Sequence, residues 1–343
     1  MFTAQASLLE GYLMKKIIKI MLFLSLSFII LCVAFTCFLL AVNDWDYNKA
    51  FFDRIESVTY DFDEDFDSIS INSASEDIKF LESESDRCKV ICDETEKEKF
   101  TVTVTDGCLS IQKYNGGKWY DNISLFSFGN RSLKVYLPEN DYNSLKINED
   151  TGNVTVPSDF VFGEIDITSS TGNVDCGTSS SGRIGIKTST GDICLKKLSA
   201  KEIDLSVSTG CVALTSVSCS SFNSTGDTGS ISFSDSVVKE KITVERSTGD
   251  ISFKHSDASE IEITTDTGDV TGTLLTDKVF IVRSDTGEID VPETVTGGKC
   301  KVTTNTGDIV IKVEDNRVPS TDLPDESETA IEENLFTSTK PEL

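Results

Sequence analysis

Histidine occurs once in 343 residues, as His255. That scarcity removes most general-base and metal-ligand arrangements, for which imidazole is the usual choice. Basic residues are short as well: 31 Lys and Arg stand against 57 Asp and Glu, a formal net charge of −26. Such a surface repels phosphate backbones and anionic headgroups, so nucleic acid is excluded as a partner. No Gly-x-Ser-x-Gly elbow is present, and His255 stands alone in the polar run "FKHSDASE". Carboxylates are so many that no catalytic pair stands out, and aromatics that would stack on sugars are few in the repeats. These absences argue against an enzyme. No catalytic, cofactor-binding or metal-ligating residues are assigned.

One long apolar run is present, Ile20 to Val42, without a charge. As a helix it is long enough to cross a hydrocarbon core of about 30 Å. Lys15, Lys16 and Lys19 precede it; Asp44, Asp46 and Asp53 follow. That asymmetry predicts residues 1–19 in the cytoplasm, a single span over 20–42, and everything beyond outside the cell membrane. Trp45 and Tyr47 then lie in the outer interfacial belt. A cleaved signal peptide fits less well, since the run is long and no small-x-small site follows it. Met14-Lys15-Lys16 reads as a natural start, which makes residues 1–13 an upstream extension.

The rest of the chain repeats itself. Thr-Gly followed by a polar and then an aliphatic residue begins at Thr151, Thr171, Thr190, Thr209, Thr228, Thr248, Thr267, Thr286 and Thr306. Around each corner the apolar residues alternate with period two, as in Ile165 and Ile167 before Thr171 and Ile193 and Leu195 after Thr190. Alternation of that kind means strands with one buried face. A unit of about 20 residues cannot bury its face alone, so the coils must stack, each strand parallel to its neighbour in the next coil. The predicted fold is all-β: a parallel β-solenoid of about 19–20-residue repeats over 141–313, roughly 40 Å long at ~4.8 Å per coil. A β-propeller would need two repeats per blade. The glycines suit a type II turn, and Asp or Asn beside them suits an Asx turn that closes its own corner.

Residues 43–53 read as a juxtamembrane linker. Residues 54–140 read as an irregular β cap with first coils, including a hairpin at Asp106-Gly107. The segment 314–343 is acidic, holds three of the six prolines and reads as disordered. Cysteine is more abundant than function needs. Cys32 and Cys37 fall in the span, while Cys176 and Cys300 fall on inward positions as small core residues. Cys194 and Cys211 face outward or lie in corners, and Cys88, Cys92 and Cys108 are candidates for one bridge in the cap. Stacking is expected to align Asp266, Asp269, Asp285, Glu288 and Asp308 along one corner. Calcium favours oxygen cages of that kind, but the Gly-Gly-x-Gly-x-Asp spacing of calcium-binding turns is missing. Each acid is expected to cap its own turn.

The order of span, "SLKVYLPENDYNSLKINEDTGNV" at 132–154 and then serial "STGDI"-type turns resembles the bacterial toast-rack family of adhesin-like proteins of unknown function. The resemblance covers residues 54–313. It implies a membrane-anchored β-repeat envelope protein, and it brings no catalytic residues. The expected role is non-enzymatic: a surface-binding or structural module with an envelope protein or polysaccharide as partner. The alternative is an accessory or regulatory component of a cell-envelope stress system.

Overall fold

The computed structural model describes residues 2–42, 45, 55–95, 98–115 and 131–314. The linker 43–53, apart from Trp45, and the tail from residue 315 lie outside the described residues. A helix spans Phe2–Val42, beginning well before the apolar run. Its segment Lys15–Val42 has a mean hydropathy of 2.7, is long enough to cross a membrane, and has no residue of its most apolar stretch buried in the rest of the molecule. Two of its hydroxyls bond to the helix's own carbonyls, Ser25 Oγ donating to Leu22 O and Thr36 Oγ1 to Cys32 O, both at 2.9 Å, as hydroxyls in a hydrocarbon core would need to.

The remainder is a parallel β-solenoid built of two sheets. One sheet carries the longer strands that run into each Thr-Gly corner, such as Asp141–Thr151 and Val161–Thr171. The other carries the shorter strands that leave it, such as Val154–Val156 and Ile193–Lys196. Register is locked to the repeat: Thr151 pairs with Thr171, Thr171 with Thr190, and Thr190 with Thr209. The core lies between the sheets and consists of the alternating aliphatics read from the sequence, with Ile165, Ile167, Ile193 and Leu195 fully buried. Phe222, Phe233 and Phe253 form an aromatic pile, the last two stacked at 4.9 Å. Aromatic pairs of this geometry add about 0.5–1.5 kcal/mol beyond their buried area.

Strict sequential stacking holds from Asp141 to Thr267 and fails at both ends. Near the N-terminus, Ser68–Asn72 inserts between Cys108–Asn115 and Asp141–Thr151. On the other sheet, Glu76–Glu82 inserts between Arg131–Leu137 and Val154–Val156. Antiparallel strands then close this end. Glu98–Thr105 pairs with Cys108–Asn115 through a two-residue hairpin whose Asp106 and Gly107 both have positive φ, as a type I′ turn needs. Cys88–Glu94 and Glu56–Phe62 complete the second sheet.

At the C-terminal end the exchange is mirrored. Ile251–Thr267 pairs with Gly298–Thr306 rather than with the next strand in sequence. Lys278–Thr286 is displaced outward and pairs only with Gly298–Thr306. The physical reason lies in the return. Gly297 and Gly298 pass so close to Asp277 and Ser259 that any Cβ there would overlap their carbonyl oxygens. The buried ion pair Lys278 Nζ–Asp257 Oδ1, at 2.6 Å, ties the displaced strand to the one it bypasses.

The corner glycines do not adopt the expected type II turn. Gly210, for instance, has φ +150°, well beyond the type II value and in a region that side-chain-bearing residues rarely adopt, and its N–H continues the inter-coil ladder to Thr228 O at 2.9 Å. A Cβ on Gly210 would overlap the carbonyl oxygen of Gly191 in the preceding coil. Gly210→Ala is therefore expected to destabilise the solenoid by at least about 3 kcal/mol. The exposed neighbour Ser208→Ala should cost under ~0.5 kcal/mol. Urea unfolding of the detergent-solubilised protein, followed by circular dichroism, separates the two.

Candidate functional site at the corner column

The polar residue after each corner glycine does not cap its own turn. Its side chain accepts the backbone N–H of the equivalent residue in the next coil. Asp77 Oδ1 takes Asn153 N at 2.8 Å, Asn153 takes Asn173 N at 3.0 Å, Asn173 takes Asp192 N at 2.9 Å, and Asp192 takes Cys211 N at 2.7 Å. Cys211 cannot continue the chain of acceptors. It resumes at Ser230, which accepts from Asp250 N at 3.3 Å. Beyond that, Asp250 takes Asp269 N, Asp269 takes Asp308 N, and Asp308 takes Glu288 N, at 2.7–2.9 Å. Carboxylates one coil apart repel, and each commits an oxygen to a backbone donor that offsets the repulsion.

The strand exchange also rearranges the acids expected to align. Asp308 stands between Asp269 and Glu288. In the outer row Asn305 stands between Asp266 and Asp285: its Nδ2 donates to Asp266 at 3.1 Å, while Asp285 pairs with Arg283 at 3.0 Å. Among the described residues no group of three His, Cys, Asp or Glu is placed to hold a metal ion.

The cysteines behave as apolar residues or as surface thiols. Cys88, Cys92, Cys176, Cys219 and Cys300 are buried, and burial pushes each thiol up to about 12. The bridge considered among Cys88, Cys92 and Cys108 does not form: all three thiols are free. Cys88 and Cys92 point into the core from one sheet, and Cys108 begins a strand of the other. Cys211 is exposed at its corner and Cys194 is partly so. His255 is half-exposed between Asp235, 3.5 Å from Nδ1, and Glu314, 3.1 Å from Nε2. Its partners are acids only.

Behind the corner runs a feature the sequence reading missed. The inward position two residues before each threonine is polar in most coils: Glu149, Ser169, Thr188, Arg246, Thr265 and Thr304 are all buried there. The signal was available, because the other inward positions of the repeat are predominantly aliphatic or aromatic. Arg246 fills the space that Gly226 leaves and donates Nη2 to Ser224 Oγ at 3.0 Å. At the N-terminal end of this seam Glu76 is fully buried, held by Lys113 Nζ at 2.7 Å and Ser73 Oγ at 2.6 Å. Burial opposes its ionisation, but these bonds and the Ser75 N–H outweigh it and keep the carboxyl below the usual range. Arg131 and Glu98 extend the network. Glu149 beside it makes no close hydrogen bond on either oxygen. Burial, offset only in part by longer contacts with Ser73 and the Thr151 and Glu76 backbone and reinforced by the Glu76 charge, pushes its carboxyl up to about 8.

The fold and corner geometry define a class, a parallel β-solenoid of Thr-Gly coils preceded by an apolar helix. The Toastrack DUF4097 family profile matches residues 66–270 and again 219–327, and the chain belongs to that family. Solved structures with a similar strand arrangement include a "putative adhesin" of Bacteroides fragilis. It is 15% identical at a TM-score of 0.45, with 76% of this chain and 97% of that one covered. Another, described in the same words, comes from Parabacteroides distasonis, 12% identical at a TM-score of 0.47 over 77% and 98%. A "putative lipid binding protein" from that organism is 16% identical at 0.45 over 76% and 97%. No curated protein sequence matches the chain at comparable stringency.

The seam makes a pH prediction. In the unfolded chain Glu149 loses its proton near 4.5, and in the folded protein near 8. Between those values the native state binds more protons, so stability falls as pH rises across that window and levels off above it. Glu149→Gln removes the effect. The variant should gain on the parent progressively from pH 5 to pH 8, read as a widening difference in urea midpoint.

Proposed function

We propose that this protein is a non-enzymatic, membrane-anchored extracytoplasmic module that holds a rigid acidic β-surface away from the cell membrane for contact with envelope or surface partners. The observation that carries this reading is the pairing of an apolar helix, Lys15–Val42, with a solenoid whose outward positions are polar coil after coil. Lys15, Lys16 and Lys19 ahead of the apolar run support a cytoplasmic helix N-terminus with the solenoid outside. The outer face repeats Ser, Thr, Asp, Glu and Lys at a spacing of ~4.8 Å, a pattern suited to multivalent contact with an extended partner such as a polysaccharide or a second protein. Its ion pairs, among them Arg183–Asp204 and Lys241–Glu262, lie at the surface.

Exposed Cys211 supplies the reporter for the test. A membrane-impermeant maleimide applied to intact cells or wall-stripped protoplasts should label the full chain, and Cys211→Ser should remove most of the label. Labelling only after lysis would put the solenoid on the other side of the membrane and overturn the reading. If the acidic face makes the contacts, retention of the protein on envelope fractions should also weaken as salt rises from low to physiological strength.

A further inference from the structure

The ion pair between Lys278 and Asp257 has the geometry of two groups placed to react. Lys278 is 2% exposed and Asp257 6%, and Lys278 Nζ stands 2.6 Å from Asp257 Oδ1. Thr276 Oγ1 touches both: it accepts from Lys278 Nζ at 2.5 Å and donates to Asp257 Oδ2 at 2.6 Å. The Ala258 N–H donates to Asp257 Oδ1 at 2.8 Å. Each carboxylate oxygen therefore carries a donor, and one hydroxyl links the amine to the oxygen it does not itself touch. All four residues line a recess of about 510 Å³, with Val238, Gly297 and Gly298 among its walls. The pair Lys113–Glu76 is arranged otherwise. There Glu76 also takes Ser73 Oγ and the Ser75 N–H, and Arg131 lies 3.7 Å away, so several donors hold it as a carboxylate. Among the described residues Lys278 is the one cation paired with Asp257.

We propose that Lys278 and Asp257 condense into an intramolecular amide, with Thr276 as the proton relay. The ion pair is the whole reactant, because an ammonium and a carboxylate give one amide and one water with no co-reactant. A proton passes from Nζ through Thr276 Oγ1 to Asp257 Oδ2. The freed lone pair on Nζ attacks Cγ, the C–N bond forms, and the carbonyl electron pair moves onto Oδ1. The Ala258 N–H holds that oxyanion. A second proton follows the same relay to Oδ2, the Cγ–Oδ2 bond breaks with its electron pair, and water leaves as the Oδ1 carbonyl re-forms. Thr276 is exposed, so the water has a way out. Groups held in contact this way reach effective molarities of about 10⁵–10⁸ M, which offsets the reluctance of the two ions to condense in water. The product has a structural use. Lys278–Thr286 pairs with Gly298–Thr306 and shares no backbone ladder with Ile251–Thr267. An amide bolts this outermost strand to the strand it bypasses, a single event within the chain that turns over no substrate. It holds whichever side of a membrane the solenoid occupies, and so does not rest on the anchored-module reading.

The test is intact mass spectrometry of the full chain, folded in mild detergent and then denatured. The mass should fall short of the sequence by one water. Trypsin should no longer cut after Lys278, and fragmentation should show one branched peptide joining Lys278 to Asp257. Lys278→Arg keeps the charge but has no primary amine; it should keep the parent's circular dichroism and restore the missing water. Thr276→Val removes only the relay at an exposed position. Followed from fresh cell-free synthesis into detergent, it should link about a hundredfold more slowly than the parent. A parent of full mass overturns the proposal. So does a lost water that maps to Asp257 alone, as a cyclic imide with its own backbone, or to Lys113 and Glu76. Linking of Thr276→Val at the parent's rate overturns the relayed step. None of these results bears on the maleimide test.

Discussion

The solenoid depends on how closely successive corners approach one another. At the Thr-Gly corners from Gly172 onward the glycine lies directly over the carbonyl of its counterpart, and up to the last layer its N–H donates to the neighbouring threonine. The ladder consequently runs from one sheet into the other without a break. A turn in a lone hairpin would leave its backbone groups to water. Here each coil supplies the partners for the coil beside it, and no single coil is satisfied by itself. Glycine is required both by that proximity and by its positive φ, and the period of about 20 residues follows, since every coil must bring its glycine back into the same stack.

The same constraint accounts for the acidic corner. An aspartate on an isolated turn would hydrogen-bond its own backbone. In the stack the nearest orphan donor belongs to the next coil, and the side chain reaches across to it. The column of Asp250, Asp269, Asp308 and Glu288 is therefore a brace between coils. Its interruption at Cys211 shows that the brace supplements the backbone ladder, which continues through Gly210 regardless.

Buried ion pairs collect where the regular stack gives way: Glu76 with Lys113 and Arg131 near the capped end, and Asp257 with Lys278 at the exchanged end. Burying such pairs is costly compared with apolar packing. Their position suggests what they contribute. At an interior coil the repeat alone specifies the neighbour, but at an end two coils of similar pattern compete for one place. A charge needing a specific partner separates the two arrangements more sharply than one aliphatic side chain replacing another.

Much of this protein was legible as sequence. The nine threonines with their period-two flanks gave the strands, the sheets' inward faces, the parallel pairing and the inward Cys176 and Cys300, because burial of an alternating face is a local property repeated many times. The apolar helix was legible for the same reason. What the chain alone did not disclose was the order of the layers. Thr286 and Thr306 keep the common spacing, so nothing in the period announces that the final coil slips inside the one before it; Gly297, Gly298 and the Lys278–Asp257 pair decide that only once distant segments meet. The reach of each aspartate to a neighbouring coil, the raised carboxyl of Glu149 and the outermost place of Lys278–Thr286 were likewise settled by tertiary structure. Each depends on which strand lies next to which, and an exact repeat cannot specify its own neighbours.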